Sequence, residues 1–264
     1  MKEHKYRKES FNGSILLLWA TILSFSAVLS CHNKNQEELN IATAANMQFA
    51  MEKLVQEFEK NHHINCNIIL GSSGKLLAQI VEKAPYDIYV SADMKYPTEL
   101  FKQGLTVGRP TVYAQGQLIL WTGDTNWTNP EQVSFHDINR FAVANPKTAP
   151  YGKAANQVIS FYKWTDQLRD KLVFGESIAQ TNMFLISKSA EMGLTSQSVI
   201  YAHKLDNPPA YILIDSTAYQ PIDQGVVVLK SSKKQDAANY FYEFLFSIEA
   251  KEILKNFGYL VAES

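Results

Sequence analysis

The chain has 264 residues, 46% of them hydrophobic, with 25 Lys and Arg against 26 Asp and Glu for a formal net charge of −1. That balance argues against nucleic acid as a partner, since such binders gather Lys and Arg on one face; the tightest basic cluster, Lys230 to Lys234, has the composition of a solvated loop. The length suits one large or two modest domains, and with only two cysteines a packed core must hold them.

In chain order, Lys2, Lys5, Arg7 and Lys8 precede an uncharged apolar run from Ile15 to Leu29, the pattern of a secretory signal. The run is short for a bilayer span. It ends at Val28-Leu29-Ser30-Cys31, which is similar to a bacterial lipobox. The expectation is a signal peptide over residues 1–30, a lipidated Cys31 and a polar tether over 31–38. Such a protein is anchored on the periplasmic side of the envelope rather than spanning the membrane; an uncleaved transmembrane anchor is the alternative. Once Cys31 carries lipid, Cys66 has no disulfide partner. The mature chain then holds 21 basic and 24 acidic side chains, a charge of −3. Cys66, within the alternation Ile64-Asn65-Cys66-Asn67-Ile68, reads as a small buried hydrophobe.

From residue 39 onward, short apolar β-branched runs alternate with longer segments of helical period, which predicts an α/β fold built on mainly parallel sheets. Strands are expected at 39–42, 64–70, 87–90, 118–121, 141–144, 172–174, 199–202, 210–214 and 226–229. Helices are expected at 47–60, 75–82, 153–164, 181–191 and 235–257, the last broken near Ser247. In the first helix Phe49, Met51, Leu54, Val55 and Phe58 form an apolar stripe at helical spacing, which is core. Polar, Gly-containing stretches at Tyr113–Gln117 and Ala218–Gly225 suggest two crossings between lobes. Residues 32–115 with 222–264 would form lobe one and 116–221 lobe two, with a cleft between them.

Two strand-to-helix turns of lobe one carry small polar residues: Thr43-Ala44-Ala45-Asn46 and Gly71-Ser72-Ser73-Gly74. Exposed amides and the positive dipole end at a helix N-terminus can hold a small anion without a countercharge. Alone, Asn46 or Ser73 reads more readily as a helix cap. Together they gain weight, because successive β/α turns of one parallel sheet open on the same edge. Lobe two has matching turns at Pro150-Tyr151-Gly152 and at Gly175 to Gln180.

Ala44-Ala45-Asn46 and Gly71-Ser72-Ser73-Gly74-Lys75-Leu76, with the run Ala84-Pro85-Tyr86-Asp87-Ile88-Tyr89-Val90-Ser91-Ala92-Asp93, resemble the molybdate-binding proteins of ABC transporters. Gly225-Val226-Val227-Val228-Leu229, Phe241 to Leu245 and Phe257-Gly258-Tyr259 extend the resemblance over residues 38–260. It implies the type II periplasmic-binding fold, two α/β lobes hinged by two strands. It also implies a tetrahedral molybdate or tungstate held in the cleft by neutral donors and passed to a transporter permease, by a monomer without cofactor or metal cation. Carried onto this sequence, the binding positions are Asn46, the Ser72-Ser73 turn, the amides of Tyr151 and Ile178, and Ser196. Asn46 stands where the family usually has Ser, and Ser196 where it often has Tyr; each can donate through its side chain.

Asp93 is expected to cap the segment Met94–Gln103, and Asp87 to be held by hydrogen bonds beside the hinge, rather than the two forming a catalytic pair. His62-His63 closes the first helix, and the isolated His136 and His203 offer no zinc spacing. The rival readings are a binder of sulfate or another oxyanion, a sensor of the same fold, and a secreted hydrolase using Ser72 or Ser73, for which no His base is marked.

Overall fold

A computed structural model describes residues 38–123, 127–202 and 209–262. The signal segment, Cys31, nearly all of the tether and His203 lie outside the described residues.

The chain opens with β1 (Leu39–Ala44), a single 3-10 turn (Ala45–Met47) and α1 (Gln48–His62). β1 is buried on both faces, as the sequence LNIATA requires of a strand covered by helices above and below. Helix α1 turns Met51, Leu54, Val55 and Phe58 inward, and His63 ends it in the left-handed conformation at φ 56°. There follow β2 (Cys66–Gly71), α2 (Ser73–Val81), β3 (Ile88–Ser91), α3 (Lys95–Lys102) and β4 (Thr111–Gly116). The chain crosses at Gln117 into β5 (Leu118–Gly123), then β6 (Phe141–Ala144), α4 (Pro150–Phe161), α5 (Thr165–Leu168), β7 (Leu172–Gly175), α6 (Ile178–Ile186), β8 (Met192–Ser196), α7 (Ser198–Ala202) and β9 (Ala210–Leu213). It returns in β10 (Ile222–Val228) and ends with α8 (Gln235–Phe244) and α9 (Ile248–Asn256).

Two five-stranded mixed sheets result, ordered β2-β1-β3-β10-β4 and β7-β6-β8-β5-β9. In the first, β1 runs parallel to β2 and β3, while β10 runs antiparallel to β3 and β4. In the second, β6 runs parallel to β7 and β8, while β5 is antiparallel to β8 and β9. Residues of β10 alternate between two cores: Val226 and Val228 pack with Met51, Leu54, Phe58 and Phe241, and Val227 packs with Leu76, Tyr89 and Leu100 on the opposite face. Phe58 is wholly buried beneath Phe241 and Phe244, and burial of a side chain of that size contributes about 1.5–3 kcal/mol.

Beyond helix bounds and the helices Lys95–Lys102 and Thr165–Leu168, absent from the expected set, the structure differs from the expected strands at three places. Val199–Ala202, expected as a strand, lies in the helical turn α7, because four apolar residues fit a helical turn as well as a strand. β4 is hidden in the sequence by its polar end, Gln115-Gly116. β8 is hidden by Gly193, Thr195 and Ser196, although all five of its residues are buried. Gly193 is required there: a Cβ would lie 2.4 Å from the Ala142 carbonyl oxygen of the neighbouring strand. The expected break at Ser247 is real, with Ser247 Oγ capping α9 by accepting from the Ala250 amide at 3.1 Å.

Candidate functional site

The C-terminal ends of β1, β2, β6 and β7 face one another across the cleft, so the turns that follow them converge. Ala44, Ala45, Asn46, Ser72, Ser73 and Ala92 from lobe one meet Ala149, Pro150, Tyr151 and Ile178 from lobe two around a cavity of about 10 Å³. By that measure the space is on the scale of one water molecule, so the lobes are drawn tightly together. Among the described residues no Lys, Arg, His, Asp or Glu lines it. What points in are the N-termini of α2, α4 and α6 and the 3-10 turn before α1, whose first amides have no acceptor within their own helices.

Ser73 is aimed by its neighbours. Its Oγ accepts from the Ala92 amide at 3.0 Å and its carbonyl accepts from the Tyr89 hydroxyl at 2.7 Å. Its own O–H remains as a donor. Ser72 occupies the cap position of α2 without a capping bond, and its Oγ is buried with no hydrogen-bond partner. Capping is therefore not what either serine side chain does. Pro150 starts α4 with the fixed φ that suits the first helical position, which places Tyr151 in the first turn. Ser177 caps α6 by accepting from the Gln180 amide at 3.4 Å, with Ile178 as the first helical residue.

Asn46 behaves differently from the expectation. Its Nδ2 donates to Gln224 Oε1 and to the Tyr259 hydroxyl, both at 3.0 Å. Both amide hydrogens are thus engaged within the protein, and the donor Asn46 has to spare is its main-chain N–H. Its carbonyl accepts from Tyr259 at 2.8 Å and from Ser198, across the cleft, at 2.9 Å. Ser196 is not brought to the cavity. Fully buried, it lies 3.0 Å from Ser198 Oγ, one hydrogen bond behind Asn46.

Around the rim the lobes are bridged by the Gly74 amide donating to the Thr148 carbonyl at 2.9 Å, by the Tyr96 hydroxyl donating to the Lys147 carbonyl at 3.3 Å, and by a Lys75–Glu176 ion pair at 2.6 Å. Asp93 caps α3 as expected, accepting from the Tyr96 amide at 3.2 Å. Burial pushes its carboxyl above the usual range, and the Tyr96 and Ser91 hydrogen bonds oppose this. Asp87 is held by the Asn40 amide at 2.8 Å and the Ser232 hydroxyl at 2.7 Å. Its place corrects the expectation: it precedes β3, at the end of the sheet opposite the cleft, because β3 enters the site at Ser91 and not at Ile88. Burial and the neighbouring Glu59 and Glu38 raise the Cys66 thiol to about 12, in keeping with an unreactive side chain. Among the described residues no group of His, Cys, Asp and Glu is placed to hold a metal ion, and no helix is long and apolar enough to cross a membrane.

Sequence reasoning missed Gln224, Tyr259 and Ser198. Gln224 precedes a strong β signal and Tyr259 follows a helix; only the polar interruption of an otherwise buried strand start, Ile222-Asp223-Gln224, hinted that a side chain there has a partner.

Two α/β lobes closing on a neutral cradle of helix N-termini, with neither serine hydrogen-bonded to a histidine among the described residues, define a protein built to hold a small solute. The chain belongs to the bacterial extracellular solute-binding protein family, whose model matches residues 39–260. It is 33% identical to the molybdate-binding protein ModA of Azotobacter vinelandii over 84% of this chain and 89% of that protein. It is 25% identical to a putative ABC transporter substrate-binding lipoprotein, YvgL, of Bacillus subtilis over 91% of this chain and 95% of that one. The solved periplasmic molybdate-binding protein of Azotobacter vinelandii superimposes with a TM-score of 0.81 at 30% identity, over 86% of this chain and 100% of that structure. These relatives are solute-binding proteins and not enzymes.

Proposed function

We propose that this protein captures molybdate or tungstate in the cleft between its lobes and delivers it to the permease of an ABC transporter, while Cys31 carries lipid that anchors it on the periplasmic side of the envelope. The observation that carries the reading is the cavity lined by Asn46, Ser72, Ser73, Tyr151 and Ile178, in which helix N-termini and a serine hydroxyl supply donors and, among the described residues, no charged side chain enters. Such a cradle suits a fully deprotonated tetrahedral anion, since donors alone face its oxygens. Similarity to the molybdate-binding protein and to the lipoprotein of an ABC system supports the ligand, the transporter and the anchor.

Isothermal titration with molybdate, tungstate, sulfate and phosphate tests the ligand. Tight binding of the first two is expected, with a rise of several degrees in Tm at saturation; heat from sulfate alone would reassign it. Incorporation of labelled palmitate, lost in Cys31→Ser, tests the anchor.

A further inference from the structure

Tyr151 and Asn46 each enter the site twice. Both residues line the cavity, one from each lobe, and the side chains of both reach the place where the chain crosses between lobes. There Tyr151 OH lies so close to Gly116, the last residue of β4, that a Cβ on that glycine would be 2.1 Å from it and 2.7 Å from Gln224 Nε2. Gln224 belongs to β10, the strand that returns from lobe two, and β10 pairs with β4 from Ile222 and Gly116 onward. The same Gln224 takes a hydrogen from Asn46 Nδ2. The two residues that present amides to the anion therefore meet around one glutamine at the crossing.

The hydrogen-bond inventory there is unbalanced in a specific way. With both Nδ2 hydrogens of Asn46 engaged, Oδ1 is an acceptor, and it is buried with no partner. The Tyr151 hydroxyl is a donor, and it too is buried with no partner. Burial, with the phenols of Tyr259, Tyr219 and Tyr113, holds the Tyr151 hydroxyl far above its ordinary range, so it stays protonated and able to donate; the Asn46 carboxamide pulls weakly the other way. One orphaned donor from lobe two and one orphaned acceptor from lobe one thus belong to side chains that meet around Gln224.

We propose that the Tyr151 hydroxyl donating to the Asn46 carboxamide, which Gln224 holds in register, is the lobe-to-lobe bond that locks the cleft shut over its anion. Tyr151 and Gln224 are then positioning residues beyond the amides that hold the ligand. An anion gripped by the Asn46 and Tyr151 main chains fixes both backbones, and that brings the two side-chain groups into hydrogen-bonding geometry. Ser198 donating to the Asn46 carbonyl from lobe two completes the same closed arrangement. The proposal rests on the anion-binding reading.

Tyr151→Phe keeps the ring and the amide and removes only the hydroxyl. Molybdate affinity by titration, molybdate release by stopped-flow tryptophan fluorescence and Tm of the anion-free protein are measured side by side. The expected result is an affinity loss of about tenfold, the size of one hydrogen bond, carried by faster release. Tm of the anion-free protein holds or rises, because an orphaned hydroxyl has gone. Gln224→Met reproduces the release defect. Combining Tyr151→Phe with Asn46→Ala, or with Gln224→Met should Asn46→Ala not fold, costs no more than the larger single change, because both act on one bond. Unchanged release in Tyr151→Phe, or losses that multiply in the double variant, overturns the proposal while the anion site stands. A wild-type protein that binds neither molybdate nor tungstate overturns the anion reading itself, and this lock with it.

Discussion

In lobe one the anion-facing turns are tied down by side chains. Ser73 is fixed through Ala92 and Tyr89, and Asn46 through Gln224 and Tyr259. In lobe two the corresponding turns lean on backbone: Pro150 sets the first dihedral of α4, the Asn145 carbonyl accepts from the Ala149 amide at 2.9 Å, and a single serine caps α6. Lobe one is thus a preformed half-site whose residue identities matter. Lobe two presents main-chain donors to the cavity and depends on its backbone path, with the Tyr151 hydroxyl acting behind the site, and substitutions in either lobe can break or sharpen that asymmetry.

Lobe two breaks most easily where its backbone is tightest. A Cβ on Gly152 would sit 2.2 Å from the Ala144 carbonyl oxygen at the end of β6, and that atom is not a movable side-chain tip. Gly152→Ala must therefore push the start of α4, and the Tyr151 amide with it, away from the sheet. We expect a loss of about 3 kcal/mol in stability from the overpacking and a larger fall in molybdate affinity than any single side-chain deletion in lobe one produces. Denaturant unfolding and titration of one sample check both; a variant of normal affinity would mean that lobe two holds its donors by something other than this close approach.

Lobe one is broken by deleting a hydroxyl. Ser73→Ala leaves the helix N-terminus in place but removes the aimed O–H and the acceptor for the Ala92 amide. The expected loss in affinity is about 2 kcal/mol, roughly thirtyfold, with Tm of the anion-free protein falling by only a few degrees. Equal affinity in the variant would reduce lobe one, like lobe two, to main-chain donors.

The same asymmetry explains which features are legible in the amino-acid sequence alone. Strand and helix rhythm is written in hydrophobic period, so β1, β6, α1 and the break at Ser247 are legible. Small polar residues between a strand and a helix mark Asn46 and Ser73, the family resemblance adds Tyr151 and Ile178, and the cavity gathers all four. The direction of the Asn46 carboxamide is not legible, because it depends on Gln224 and Tyr259, 178 and 213 residues away in the chain. Ser196 fails for a related reason: β8 places it inward, but between it and the cavity stand Ser198 and the main chain of Asn46. Local pattern finds donors that belong to a helix start; long-range partners decide which atom of a side chain is left to face the ligand.

The smallest expected effect lies at the rim, where the two kinds of half-site are joined. Lys75 follows Ser73 by two residues and Glu176 precedes Ile178 by two, so their ion pair ties a turn of lobe one directly to a turn of lobe two. Both side chains are more than half exposed, at 51% and 64%, and pairs of that kind contribute about 0.2–1 kcal/mol. Lys75→Glu and Glu176→Lys should each speed molybdate release by up to roughly fivefold, and the double exchange should restore it. Association separates this latch from simple attraction of the anion. Lys75→Glu adds negative charge at the mouth and slows capture, whereas Glu176→Lys adds positive charge and hastens it, both effects shrinking with salt. Release rates that move in opposite directions along with the capture rates would show that charge at the mouth, and not the bond between the turns, is what the pair contributes.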